Sequence, residues 1–349
     1  MWKNTRVRWI AALAALPLVM VIGVWSWWAG IDFSHGGGDP EATRADLAWL
    51  PQQQPATRGR ILAVVTSAEH TLDGQGRAGF ELTELSRAWW VFESAGFEVE
   101  LASPAGGAAP RVVDDGLVDA DYAFLNEPRM QAHMAQTLPL DGVDSSRYDA
   151  VYIVGGKGAM IDLHDHPGLK RILAEVYRRG GLIAAVCHGP AALLNVEIAP
   201  GRFLLQDRRV TGFTNAEELF LMEDPVARLG FMLEDALAAE GHFSEVPMYL
   251  EHVVIDGRVL TGQNPWSTWA LAEATIRALG VEPAARPRSA EEHAVDLLAL
   301  LHAQGYEAAR AAKLSMGPVD NRLLLMHGVV AAILGEHKRL IDLMRLARV

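Results

Sequence analysis

Four short and almost wholly apolar runs constrain this chain most: residues 61–65, 99–102, 150–154 and 182–186. They are too short for helices and rich in β-branched residues, which predicts strands buried on both faces of a parallel sheet. Between the first two, Leu82, Leu85, Trp89, Phe92 and Ala95 recur at helical spacing and stop at Gly96. Between the third and fourth, Leu169, Ile172, Leu173 and Val176 do the same and stop at Gly180-Gly181. Strands alternating with amphipathic helices specify an α/β, doubly wound parallel sheet. A further pair at 253–255 and 259–261, joined by Asp256-Gly257, reads as a hairpin, and the α/β domain is expected over 60–281.

Residues 114–147 are polar and irregular apart from a helical piece near 128–136, the pattern of an insertion that covers a site. Beyond the prolines at 283 and 287 the chain turns helical. One stripe contains Ala294, Leu297, Leu298 and Leu301; another contains Leu323, Met326, Val330, Ile333, Leu340, Leu343 and Leu346. The expectation is a C-terminal helical extension over 282–349 that packs on the domain or on a second copy, leaving a homodimer open.

At the other end, Lys3, Arg6 and Arg8 precede an uncharged stretch over 9–31, and Asp32 is the next charge. A run of this length matches the ~20 residues that cross a bilayer, and basic residues before it favour a cytoplasmic N-terminus. Bulky Trp25, Trp27 and Trp28 argue against a cleavage site. The sequence thus predicts a cytoplasmic segment 1–8, a transmembrane anchor 9–31 and a Gly- and Gln-rich linker 32–59. The protein would be single-pass in the inner membrane, with its α/β domain in the periplasm. A net charge of −12 without a basic stripe excludes nucleic acid as partner. The single cysteine excludes an internal disulfide and a Cys-rich zinc site. His164-Asp165-His166 reads as a solvated turn, so no metal and no cofactor is expected.

That cysteine is the main chemical candidate. In Ala185-Val186-Cys187-His188-Gly189-Pro190 an apolar strand ends at Val186, and Pro190 suits the first turn of a helix. Cys187 is therefore predicted at a strand-to-helix corner on the carboxyl edge of the sheet, where α/β sites form. A helix dipole there would favour the thiolate. Gly189 would let backbone amides approach a ligand. Gly155-Gly156 ends the neighbouring strand and would free amides for an oxyanion, with Lys157 adding positive charge that favours anionic α-keto substrates.

Together with Val154-Gly155-Gly156, this segment resembles the DJ-1/PfpI superfamily of class I glutamine-amidotransferase-like folds. Glu84-Leu85, Glu98-Val99-Glu100-Leu101-Ala102-Ser103-Pro104, Val210-Thr211-Gly212-Phe213-Thr214-Asn215 and Thr261-Gly262-Gln263-Asn264-Pro265 place the resemblance in the branch of heat-shock chaperones and glyoxalase III proteins. It spans residues 59–281. The resemblance implies a flavodoxin-like sheet with a nucleophile elbow, Cys187 as nucleophile, His188 as general base, and Glu84 as the acid bonded to the sulfur, with Glu81 as alternative. It also implies an acidic third member at Glu217 or Glu218, of which Glu217 is preferred. Two features depart from the family pattern: Lys157 stands where His is expected, and Ser86-Arg87-Ala88-Trp89 replaces a proline context. The expected activity is that of a glutathione-independent glyoxalase III or deglycase acting on a small aldehyde. A stress holdase, a cysteine peptidase and a redox sensor are the alternatives.

Overall fold

The computed structural model describes residues 26–52 and 55–349. The chain divides into two compact units, Gly37–Pro287 and a second one made of Arg288–Val349 with the residues up to Gly36.

In the larger unit seven strands form one sheet: β1 (Gly59–Val64), β2 (Phe97–Ser103), β3 (Leu138–Pro139), β4 (Ala150–Ile153), β5 (Leu182–Val186), β6 (Val253–Asp256) and β7 (Val259–Gly262). Their order is β6-β7-β5-β4-β1-β2-β3. All neighbours run parallel except β6 and β7, which make the expected hairpin through Gly257 in a left-handed conformation. In register, Ile61 lies between Val99 and Ala150, and Val186 ends beside Gly262. β4 and β5 are buried at every position, as strands covered on both faces must be.

The helices that cover the sheet include α1 (Leu82–Ser94), α2 (Asp119–Asn126), α3 (Pro128–Ala135), α4 (Pro167–Arg178), α5 (Asn215–Leu221) and α6 (Thr268–Ala278). α1 packs against both α6 and α2, so it is buried nearly all round. That explains Ser86 and Arg87. Arg87 donates to Asp121 of α2 at 3.1 Å and to the Gly116 carbonyl at 3.2 Å, and Ser86 donates to the same Asp121. Both partners of this ion pair are buried. It pins the 114–121 segment over the carboxyl edge of the sheet. Residues 114–147 are thus more regular than the sequence pattern predicts, because α2 takes its stability from a tertiary ion pair.

The smaller unit contains α7 (Ala290–Gln304), α8 (Tyr306–Lys313), α9 (Asn321–Ile333) and α10 (His337–Ala347). α7 begins with a Ser289–Glu292 capping box, and α9 packs on α10. Leu297, Leu298, Leu323, Val330, Leu343 and Leu346 are buried, whereas Met326 and Ile333 are exposed.

The transmembrane anchor expected over 9–31, and the single-pass inner-membrane location built on it, require correction. No helix among the described residues is long and apolar enough to cross a membrane. Residues 1–25 lie outside the described ones. The described end of the stretch packs on itself. Trp27 meets Trp28 edge-on at 5.6 Å, Trp28 stacks on Phe33 at 6.0 Å, and Ile31 is buried. The 32–59 stretch is not a free tether either. The Asp32 carbonyl accepts from Asn321, while Leu47 and Leu50 enter the α/β core.

Candidate active site

β5 delivers Cys187 at its carboxyl end. The residue sits at φ 58°, a left-handed conformation that costs a non-glycine about 1–3 kcal/mol. Two backbone bonds hold it there: Cys187 N donates to Gly262 O, and Cys187 O accepts from Phe213 N, each at 2.9 Å. The turn is tight. A Cβ on Gly189 would lie 2.6 Å from the Ile153 carbonyl oxygen, so only glycine fits. This is a nucleophile elbow in geometry. The helix after it, however, is a five-residue 3-10 turn, Gly189–Leu193. So short a segment sums few peptide dipoles. Burial pushes the Cys187 thiol well above its usual range, and Glu84, Glu217 and Asp115 add to the effect. The thiolate expected from a helix dipole is therefore replaced by a resting thiol.

His188 follows in the same turn. Its Nδ1 lies 3.3 Å from the Cys187 sulfur, and its Nε2 lies 2.7 Å from Glu218 Oε2. The ring leans on Phe213, with centroids 4.5 Å apart. His188 and Glu218 are both buried, so their contact is a charge-assisted bond in a low-dielectric setting once the imidazole is protonated. Glu217 turns the other way. Its Oε2 accepts from Thr214 N and Oγ1, and its Oε1 accepts from Tyr249 N and Asn264 Nδ2. The preference for Glu217 as the partner of His188 is thus corrected to Glu218. Thr214-x-x-Glu217 is a capping box at the start of α5, a sequence signal that assigns Glu217 to the cap and frees its neighbour.

Glu84 approaches the cysteine from α1. Its Oε2 accepts from Gly155 N at 2.7 Å, its Oε1 is buried without a partner among the described residues, and the Cys187 thiol lies beside the carboxyl. Burial, reinforced by Glu81, holds this carboxyl well above the usual carboxylate range. It is thus held as a neutral acid beside the neutral thiol. Gly155 makes the approach possible, since a Cβ there would lie 2.6 Å from Glu84 Oε2 and 2.9 Å from Cys187 Cβ. The Gly155 amide is therefore committed to Glu84 and not to a ligand. Neither Gly155 nor Gly189 lines the cavity, but Gly156 and Lys157 do.

The cavity has an empty volume of about 470 Å³, and Cys187, His188, Glu84 and Glu218 meet Phe213, Tyr249 and Trp266 in its walls. Glu81, Asp114 and Asp115 lie at the same cavity, and the sequence pattern singled out none of the two aspartates. Burial and the neighbouring Asp115 and Asp114 push Glu81 up to about 8. Burial, with Asp114 and Asp121 against the opposing pull of Arg87, brings Asp115 to about 6. Lys157 donates to Asp114 at 2.8 Å. Burial works against its charge, but Asp114 and Glu218 outweigh it and raise its pKa. His166, by contrast, caps α4 through Leu169 N, and His164 packs on Phe231 at 5.2 Å.

The chain is similar in sequence and fold to known proteins. A glutathione-independent glyoxalase of Schizosaccharomyces pombe is 31% identical over 240 residues, covering 64% of this chain and 96% of that one. Glyoxalase 3 of Candida albicans is 30% identical over 233 residues, covering 63% and 98%. The crystal structure of glyoxalase III from Candida albicans superposes with a TM-score of 0.59 at 27% identity, covering 64% of this chain and 98% of that one. The stretch from the loop before α1 to the end of α6, residues 76–278, matches the DJ-1/PfpI family, and with the cysteine elbow at its centre the chain belongs to that family.

Proposed function

We propose that this protein is a glutathione-independent glyoxalase that converts a 2-oxoaldehyde such as methylglyoxal into a 2-hydroxy acid. The observation that carries the proposal is the continuous chain from Cys187 Sγ through His188 to Glu218 on the wall of one cavity. The names of the relatives support the same reading.

The chemistry follows from the protonation states. Cys187 rests as a thiol, so His188 Nδ1 accepts its proton as sulfur attacks the aldehyde carbon. Glu218 stabilises the resulting imidazolium, which returns the proton to the former aldehyde oxygen and leaves a neutral hemithioacetal. Neutral His188 next removes the hydrogen from the first carbon, giving an enediolate, and returns that proton to the second carbon while the proton on the first oxygen passes to the second. The product is a thioester of the 2-hydroxy acid. Water cleaves it, releasing the acid and restoring the thiol, so the net change is addition of one water to methylglyoxal. Glu84, kept neutral by burial, is able to donate to the sulfur once the thiolate forms. The amides of Gly156 and His188 have no acceptor among the described residues, which suits them to a developing oxyanion. Incubation with methylglyoxal, EDTA and no glutathione tests the proposal by proton NMR. Lactate formation supports it, and persistence of methylglyoxal rejects it.

A further inference from the structure

A second cavity, with an empty volume of about 500 Å³, lies within the smaller unit, and Asp32, His35, Lys313, Asn321 and Arg348 are among its walls. Lys313 ends α8 and brings an amine to it. Its Nζ donates to Asn321 Oδ1 at 2.5 Å and to the Leu346 carbonyl at 2.9 Å. Asn321 is held in turn, because its Nδ2 donates to the Asp32 carbonyl at 2.7 Å. The amine therefore ends among the wall residues: its acceptor Asn321 lines the cavity, and Leu346 adjoins the lining residue Ala347. Lys313 is only partly buried.

The described residues include four lysines. Lys157 pairs with Asp114, Lys170 with Asp165 and Lys338 with Asp342, whereas Lys313 has no carboxylate within 4 Å among the described residues. An ammonium has three N–H bonds to place, and this one finds two acceptors, both neutral. A neutral amine has two N–H bonds and a lone pair. The same two acceptors satisfy it completely and leave the lone pair unengaged. Burial pushes Lys313 down from 10.5 to about 8, against the pull of Asp32. His35 faces Asp32 at 3.4 Å, and Arg348 follows α10. Asp320 caps its own helix, α9, and Arg345 of α10 stacks on Tyr306.

We propose that Lys313 is a carbonyl-capturing site, whose amine condenses with small aldehydes in this cavity to form an imine. The Nζ lone pair attacks the carbonyl carbon, the carbonyl π electrons move to oxygen, and a proton passes from nitrogen to that oxygen. The carbinolamine then loses its hydroxyl group and the remaining N–H proton as water. Amine and aldehyde thus give imine and water, with nothing oxidised or reduced. Protonation of the imine restores one N–H for Asn321 Oδ1 and a positive charge that Asp32 attracts. The site involves none of the residues around Cys187 and stands apart from the glyoxalase reading.

Reductive alkylation reads the imine directly. The full-length protein is treated at pH 7 with a limiting amount of acetaldehyde and cyanoborohydride, and ethylation of each lysine is followed by peptide mass mapping. Acetaldehyde has no oxygen on its second carbon, so the proposed glyoxalase chemistry does not consume it. A value of about 8 leaves about 10% of Lys313 as amine at pH 7, against roughly 0.04% for an ordinary lysine. Lower basicity also makes a weaker nucleophile, which offsets part of that gain. The expected result is ethylation of Lys313 at least about tenfold faster than of Lys338, even though the Lys338 side chain is 86% exposed. The ratio is expected to fall as pH rises from about 7 to about 9.5, since the amine fraction of Lys313 levels off first. An unmodified Lys313, equal rates for the two lysines, or a ratio that does not change with pH overturns the inference. None of these outcomes depends on whether methylglyoxal is turned over.

Discussion

Replacing Glu84 by Gln removes a proton-binding group from the deepest part of the site while keeping its shape. Glu84 is wholly buried, and its carboxyl is held well above the ordinary value of 4.5, first by burial and then by Glu81. A group whose folded pKa is raised contributes stability that is complete below the unfolded pKa and is lost as pH rises toward the folded one. The loss accumulates as pH rises above 4.5 toward the raised folded value, with a limiting slope of about 1.4 kcal/mol per pH unit. Gln carries no such penalty. Its oxygen is able to keep the Gly155 amide as Glu84 Oε2 does. Urea unfolding of both proteins at pH 4.5 and pH 7 isolates the effect, because every other titrating group is common to the pair. Relative to the wild type, Glu84→Gln is expected to gain stability between pH 4.5 and pH 7. Parallel pH dependences would refute the claim that Glu84 is the protonated partner of Cys187. The pH profile of Cys187 alkylation gives a second view: an ionised Glu84 predicts a lower thiol pKa in the variant, a protonated one does not.

Other substitutions separate positions that lie close in sequence. Glu218→Gln leaves the His188 imidazolium without its countercharge and is expected to lower kcat/KM for methylglyoxal by about 10²–10⁴, whereas Glu217→Gln acts on stability by about 1–3 kcal/mol through the α5 cap and the Tyr249 contact; steady-state kinetics with urea melts distinguish the two. Gly189→Ala drives a Cβ to 2.6 Å from the Ile153 carbonyl, a backbone atom that cannot rotate away, and should cost about 1–3 kcal/mol or more in unfolding free energy. Asp121→Asn leaves the Arg87 guanidinium buried without its carboxylate, at about 3–5 kcal/mol, and hydrogen exchange should rise across 114–121.

The strands were legible because burial on both faces forces near-continuous apolar runs, which few other arrangements produce. Cys187 was legible because Gly189 and Pro190 are needed to turn the chain so sharply. Glu217 and Glu218 were not separated by the family pattern alone, since neighbours on a helix point about 100° apart. The capping box at Thr214 held the missing information. Asp114 and Asp115 reach the cavity through long-range contacts, Arg87 with Asp121 and Lys157 with Asp114, that no local pattern encodes. The thiol's protonation state also escaped, because desolvation depends on the whole cavity and outweighs what a five-residue turn supplies. The anchor was inferred from apolar length, flanking basic residues and bulky tryptophans, signals that say nothing about what Trp27, Trp28 and Ile31 pack against.

The central claim is that Cys187 forms a covalent intermediate with the aldehyde in a cavity that needs neither glutathione nor metal. Methylglyoxal consumption by the wild type and by Cys187→Ala, with EDTA and without glutathione, tests it most directly. The account predicts turnover to lactate by the wild type and none above the uncatalysed rate by Cys187→Ala. Equal rates for the two proteins would contradict it.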